Sequence, residues 1–175
     1  MSLIAQINET MQKFSRLVVN ISLVMVTFFL AAMVVIVFLQ IIGRYVLFWS
    51  LPWSEELSRY LMIWMAYIAS NVALYKGLHV SMRAFLNILS EKNRNYLFFV
   101  MNFGILLFLT VVIFYGYKNI IIVSNQTTPV LGISMGWAYA AVPFGCLLML
   151  VQVITNIFDF LTRKIICKEI FDSRE

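Results

Sequence analysis

Charged residues are scarce in this chain, and histidine and cysteine are nearly absent. Only 12% of its 175 residues are charged, whereas soluble domains carry about a quarter. The single histidine excludes a metal site that needs two imidazoles. The two cysteines, Cys146 and Cys167, have neither disulfide-framework nor metal-ligand spacing. We therefore expect unpaired thiols and no cofactor.

Apolar residues, in contrast, make up 62% of the chain. A small soluble domain buries only about two-thirds of its surface, so it could not hide this much apolar area from water. The net charge of +5 comes from basic residues in short segments between apolar stretches. That placement is typical of topology determinants and headgroup contacts, and it predicts membrane lipid as a partner and no nucleic acid.

Four apolar segments are long enough to cross a membrane as helices. They cover about residues 18–42, 55–75, 96–117 and 137–160, and a span needs about 20 residues. Helix is expected because backbone amides in lipid must be satisfied within their own segment. The first charge-free run is too long for a cleaved signal and is interpreted as an anchor. The sequence thus predicts an all-α integral membrane protein, with one membrane domain over residues 1–175.

Orientation follows from the basic residues. Ten of the thirteen lysines and arginines flank the spans on one side, and such residues concentrate in the cytoplasm. Both termini are therefore predicted to be cytoplasmic. Between the second and third spans, Met82, Phe85, Leu86 and Leu89 share a face. This spacing predicts a short amphipathic interfacial helix over about residues 80–90, on lipid or, as the alternative, on a partner protein.

The prolines and glycines of the last third have structural explanations. Pro143 and Gly145 lie inside the fourth span, where an isolated kink is a commoner explanation than a broken-helix binding site. Gly132 and Gly136 lie near Pro129, and this composition favours a turn over a helix-dimerisation motif.

The densest polar constellation joins the first two spans. It contains Gln40, Gly43, Arg44, Tyr45, Trp49, Trp53, Ser54, Glu55, Glu56, Arg59 and Tyr60. Pro52 and Ser54 suit a helix start, where the dipole favours carboxylates in the first turn. Glu55 and Arg59 have ion-pair spacing, and Glu56 is the expected partner of Arg44. Two interpretations remain open: an aromatic belt with exposed charges, or a buried charge network that docks a partner.

Catalysis and solute carriage both lack candidate residues. The chain has no glycine-rich phosphate loop and no hydrolase nucleophile motif. None of its eight acidic residues falls at the centre of a predicted span, although ionisable groups at that depth usually mark ion pathways. We therefore expect a protein that is not an enzyme and does not carry solute by itself.

At the polar constellation the chain resembles a known family. The elements Gln40-x-x-Gly43-Arg44-Tyr45 and Trp53-Ser54-Glu55-Glu56-Leu57-Ser58-Arg59-Tyr60-Leu61 look like the small membrane subunit (DctQ type) of tripartite ATP-independent periplasmic (TRAP) transporters. So do Gly77-Leu78-His79-Val80 and Thr128-Pro129-Val130-Leu131-Gly132-Ile133-Ser134-Met135. The chain departs from the family at Met82 and Arg83, where an aspartate is frequent, and at Ser134, where a second proline is usual.

The resemblance implies a bacterial inner-membrane uptake system with two partners. A periplasmic binding protein delivers an organic acid, such as a dicarboxylate or a sialic acid, to a large membrane subunit. The large subunit binds the driving sodium, and the small subunit is its scaffold; a structural phospholipid remains an open point. The partner-interface candidates are Gln40, Arg44, Tyr45, Trp53, Ser54, Glu55, Glu56, Arg59, Tyr60, His79, Pro129 and Gly132.

Two alternatives belong to other classes. The chain would also suit an accessory subunit of a different membrane complex, whose helices give a similar hydropathy profile. A self-contained small transporter is the other, and it requires an essential membrane-embedded acid.

Overall fold

The computed structural model describes residues 3–76 and 91–163, and these residues form four helices. They are α1 (Leu3–Tyr45), α2 (Pro52–Tyr75), α3 (Glu91–Val123) and α4 (Gly136–Arg163). The only β pairing in the described ranges is an isolated bridge between Thr127 and Ser134. The all-helical prediction is confirmed for these residues, whereas the predicted interfacial helix and His79 lie outside them.

Three of the four helices are long and apolar enough to cross a membrane. The qualifying segments are Gln6–Tyr45, Tyr96–Val123 and Gly136–Phe160, which contain 18-residue stretches with mean hydropathies of 2.9, 2.7 and 2.0, respectively. They correspond to the first, third and fourth predicted spans. α2 has 24 residues but carries Glu55, Glu56 and Arg59 in its first turns, and a span over α2 stays a prediction.

α1 is much longer than its predicted span. Its 43 residues extend over about 64 Å at 1.5 Å per residue, roughly twice the 30 Å of the bilayer hydrocarbon. Glu9, Lys13 and Arg16 lie near its first residue and Arg44 near its last. The excess length therefore lies mainly at the N-terminal end.

α4 is the central helix of the assembly. It packs against α1, α2 and α3, whereas α3 packs chiefly against α4. The buried apolar cluster comprises Leu74, Leu109, Cys146 and Val153, from α2, α3 and α4. Cys146 is a free, buried thiol there.

Pro143 and Gly145 lie at close helix contacts. A Cβ atom on Gly145 would lie 2.6 Å from the Tyr67 Cβ and 2.9 Å from the Tyr67 carbonyl oxygen. A Cβ atom on Gly116 would lie 3.4 Å from the Pro143 ring. Small residues let membrane helices approach closely where hydrophobic driving force is weak. Both residues are therefore accounted for by packing of α4 on α2 and α3.

Gly145→Ala tests this close contact. The added methyl group must displace the α2 backbone at Tyr67, because rotamer changes cannot relieve a clash with a carbonyl oxygen. We expect a loss of about 1–3 kcal/mol, the usual range for overpacking, measured as a lower thermal unfolding midpoint in detergent. Gly104→Ala is the matched control, since its Cβ would meet nothing within 4 Å. Equal effects of the two changes would contradict the packing role.

Candidate functional site

The start of α2 is fixed by local hydrogen bonds. Pro52 occupies the first turn, where its missing N–H costs nothing. Ser54 is buried, and its hydroxyl donates to the Leu51 carbonyl oxygen at 2.6 Å. Gly43, at the end of α1, lets the chain return, because a Cβ there would lie 3.2 Å from Leu51 and from the Trp49 carbonyl oxygen. These contacts orient the first turn of α2.

The loop between α3 and α4 is a compact hairpin over residues 124–135. The Thr128 N–H donates to the Ile133 carbonyl oxygen at 2.8 Å, and the Ile133 N–H donates to the Thr128 hydroxyl at 3.2 Å. The Met135 N–H donates to the Gln126 carbonyl oxygen at 2.9 Å. Gly132 has a φ of +66°, in the left-handed region that glycine adopts without a Cβ penalty. The predicted turn at Pro129 and Gly132 is confirmed.

Glu56 binds this hairpin. Its Oε2 atom accepts the backbone N–H groups of Val130 at 3.1 Å and Leu131 at 3.0 Å, and its Oε1 atom accepts the Tyr60 hydroxyl at 2.7 Å. The residue is only 8% exposed. Hydrogen bonds to a carboxylate are about twice as strong as neutral ones. The carboxylate therefore ties the first turn of α2 to a loop more than 70 residues away in sequence.

The predicted Arg44–Glu56 ion pair is wrong. Arg44 is exposed, and its guanidinium lies 5.9 Å from the centroid of the Tyr45 ring. Glu56 takes its hydrogen bonds from Tyr60 and from loop amides instead. In the described structure, neither Glu56 nor Tyr60 thus has a hydrogen bond to Gln40, Arg44 or Tyr45. The sequence favoured a charged partner for Glu56, but two adjacent backbone amides of the hairpin stabilise its carboxylate instead.

The Glu55–Arg59 pair, in contrast, is confirmed. The atoms Glu55 Oε1 and Arg59 Nη2 are 3.3 Å apart, but the two side chains are 69% and 62% exposed. Exposed pairs contribute little to stability. Trp49 and Trp53 are exposed as well. Each of the two open interpretations therefore fits different residues. Glu56 and the half-buried Tyr60 form a hydrogen-bonded network, whereas the tryptophans and the Glu55–Arg59 pair have the exposure of an interfacial belt.

A cavity of about 370 Å³ lies between α2 and the hairpin. It is lined by Pro52, Glu55, Glu56, Arg59, Tyr60, Pro129, Val130 and Met135. Five of the predicted partner-interface residues are in this lining: Glu55, Glu56, Arg59, Tyr60 and Pro129. Residues of two family-like elements that are distant in sequence, around Glu56 and around Pro129, thus line the same cavity.

A second polar cluster was not predicted. At the N-terminal end of α1, Asn8 and Gln12 each donate to the Oδ1 atom of Asp159 at 2.9 Å. Asp159 is 4% exposed. One α1 turn further on, the Ser15 hydroxyl donates to the Gln152 side-chain oxygen. These contacts bind α1 to α4 through polar side chains.

The same row of polar side chains continues to α2. Asn71 is fully buried, and its amide donates to the Ser22 hydroxyl at 2.9 Å. The α1 members Asn8, Ser15 and Ser22 recur every seven residues, which places them on one helix face. That spacing was a usable signal in the sequence. We call this row, from Asn8 to Asn71, the polar seam.

The fold and these clusters define a class. The chain is a helical membrane protein in which buried polar side chains such as Glu56, Asp159 and Asn71 bind its own side chains and backbone. In the parts of the chain that the structure describes, no group of three or more His, Cys, Asp or Glu residues could hold a metal ion.

Comparison with known proteins then identifies the family. A sequence model of the DctQ component of tripartite ATP-independent periplasmic transporters matches residues 33–163. This match covers most of the chain, so the protein belongs to the DctQ family. It is therefore a small permease component of a transporter and not an enzyme.

Individual relatives agree with this membership. The sialic acid TRAP transporter small permease protein SiaQ of Vibrio cholerae is 27% identical over 146 residues, which are 83% of this chain and 84% of that protein. A protein of Haemophilus influenzae that carries the name of a TRAP transporter small permease is 28% identical over 130 residues, 74% and 81% of the two chains.

A longer relative matches as well. The sialic acid TRAP transporter permease protein SiaT of another Haemophilus influenzae strain is 29% identical over 115 residues. These are 66% of this chain but only 19% of SiaT. A region similar to this chain is thus joined covalently to a much longer permease sequence there.

Replacing Glu56 by glutamine tests whether the Glu56 carboxylate holds the hairpin against α2. The new NH₂ group cannot accept a hydrogen bond, so either Tyr60 or the two loop amides lose their acceptor. Glu56→Gln is expected to lower the unfolding midpoint by about 5 °C and to speed proteolysis of the hairpin several-fold. The neighbouring Glu55→Gln is the control and should change neither quantity appreciably. Similar effects from both variants would contradict this role of the Glu56 carboxylate.

Proposed function

We propose that this chain is the non-catalytic scaffold subunit of a sodium-driven TRAP transporter for organic acids. It spans a bacterial inner membrane four times, with α2 as the second span and both termini in the cytoplasm. It packs on the large carrier subunit, and its loop side helps to receive the periplasmic binding protein. A sialic acid is the preferred substrate, because two of the relatives are named for that transport.

The hydrogen-bond and ion-pair partners of the acidic side chains support this proposal. Four acidic side chains are described, and each already binds a group of this chain. Glu9 pairs with Lys13 and Glu55 with Arg59. Glu56 accepts the hairpin amides, and Asp159 accepts Asn8 and Gln12. A gradient-coupled carrier needs ionisable groups that exchange partners with its ion or solute. Glu56 and Asp159 thus have structural roles, and Glu9 and Glu55 pair with neighbouring cations on the surface. This distribution favours carriage by another subunit.

The length of SiaT supports a large subunit as the partner. Its remaining four-fifths is long enough for a polytopic carrier, and covalent fusion keeps both parts together in equal amounts. A separate chain such as this one must reach the same arrangement by packing. The exposed apolar side chains of α1 offer the surface for that contact.

The hairpin side suits reception of a periplasmic protein. Val130 and Ile133 are partly exposed on a loop that Glu56 holds in place, beside a cavity with a charged rim. A preorganised surface binds with a smaller entropy cost than a mobile loop. We therefore assign docking to the hairpin and the Glu55–Arg59 edge.

Reconstitution tests the division of roles. Proteoliposomes that contain this chain, its large subunit and the binding protein should take up sialic acid when a sodium gradient is imposed. Omission of this chain should reduce the rate to background, while the binding protein still binds its ligand. Uptake by this chain alone would overturn the proposal, and so would full uptake without it.

Charge reversal at Arg59 tests docking. Rim charges mainly steer association, so Arg59→Glu should raise the binding-protein concentration for half-maximal uptake by about three- to tenfold. The maximal rate should change little. Lys13→Glu is the matched control. Lys13 forms a similar exposed i,i+4 pair with Glu9 at 3.5 Å, and this pair lies near the N-terminus of α1, away from the hairpin. An equal shift in both variants would rule out a local docking role.

A further inference from the structure

The polar seam leaves the opposite side of α1 uncovered. Asn8, Ser15 and Ser22 face the other helices and are buried. On the far side, Ile7, Phe14, Ile21, Phe28 and Val35 recur at intervals of seven. They are 44% to 68% exposed.

A second row accompanies the first. Leu17, Val24, Ala31 and Phe38 also recur every seven residues, three positions after members of the first row, and all are exposed. Together the two rows form a stripe whose centre lies about 150° round the helix from the seam, at 100° per residue. A repeat of alternating three and four residues is the pattern of a helix that packs along another helix. Within the charge-free run other side chains, such as Leu23 and Leu30, are apolar and exposed as well, so the informative members are those that precede the run.

Lipid alone does not explain the stripe. The charge-free run from Leu17 to Gly43 extends over about 40 Å, which already exceeds the hydrocarbon thickness of about 30 Å. Ile7 lies about 15 Å before this run, and Phe14 lies between Lys13 and Arg16. Water and headgroups would not favour two exposed apolar side chains at this level.

We propose that the stripe on α1, from Ile7 to Phe38, is the docking surface for an apolar helix of the large permease subunit. This inference rests on the proposed function, because it assumes that partner. The partner helix runs alongside α1 through the membrane and continues past the membrane surface at the N-terminal end of α1. It carries its own apolar residues at heptad spacing where it faces Phe14 and Ile7.

The size of the stripe fits such an interface. From Ile7 to Phe38 it is about 47 Å long and about 10 Å wide, so its projected area is on the order of 500 Å². A standard interface buries about 800 Å² per partner. One helix laid along α1 would therefore form most of a stable contact. In SiaT the covalently joined permease sequence supplies a partner of the required length.

Photocrosslinking in the assembled complex tests this placement. The photoreactive amino acid benzoylphenylalanine replaces Phe14 in one variant and Phe28 in another, and each is co-expressed with the large subunit and the binding protein. The control replaces Phe108, which is exposed on α3. We expect adducts with one helix of the large subunit from both α1 positions, several-fold above the Phe108 yield.

The outcomes separate this inference from the proposed function. If the unmodified chain co-purifies with the large subunit but Phe14 and Phe28 yield only lipid, intrachain or self-adducts, the stripe is not the docking surface. The proposed function would stand in that case. If the unmodified chain does not co-purify with the large subunit, the proposed function fails and this inference fails with it.

Discussion

A polar group buried in a membrane protein must find its hydrogen-bond partner within the protein, because lipid offers none. Two polar clusters of this chain supply such partners, at opposite ends of the helices. Glu56 ties α2 to the hairpin before α4, and the polar seam ties the N-terminal part of α1 to α4 and α2. Between these points the helices meet mainly through apolar and small residues. The two polar contacts therefore set the register of the helices, which apolar packing alone specifies weakly.

The hairpin illustrates why particular residues recur in family-like elements. Pro129 contributes no backbone N–H, and the next two amides converge on one carboxylate oxygen. Gly132 then takes a left-handed conformation. Glu56 and Tyr60 complete the arrangement from one helical turn. The elements around Glu56 and Pro129 thus form a single structural unit, although they are far apart in sequence.

Local features were predictable from the sequence and distant pairings were not. Long apolar runs predicted the helices, and i,i+4 spacing predicted the Glu55–Arg59 pair, because both depend on neighbouring residues. The predicted partner of Glu56 was wrong, because the groups near this carboxylate depend on how α2 packs against the hairpin. The polar seam was missed because single Asn, Ser and Gln residues are inconspicuous in an apolar run. Its seven-residue spacing was visible in the sequence, but the partners Gln152 and Asp159 came from another helix.

The distribution of polar contacts bears on how work is divided in a multi-subunit transporter. A carboxylate that accepts two backbone amides at 3.0–3.1 Å in a part-buried site cannot release them without losing two charge-assisted hydrogen bonds, and that loss is costly. Such a group resists movement, which suits a scaffold and is a disadvantage in a carrier. Asp159 has the same character, since two side-chain amides converge on it. With these contacts internal to the chain, the proposed partner surfaces are the apolar stripe on α1 and the Glu55–Arg59 edge beside the hairpin, and the two lie at different levels of the molecule. Under the proposed function, one chain therefore holds a membrane partner and a periplasmic partner at once, and neither contact competes with the other.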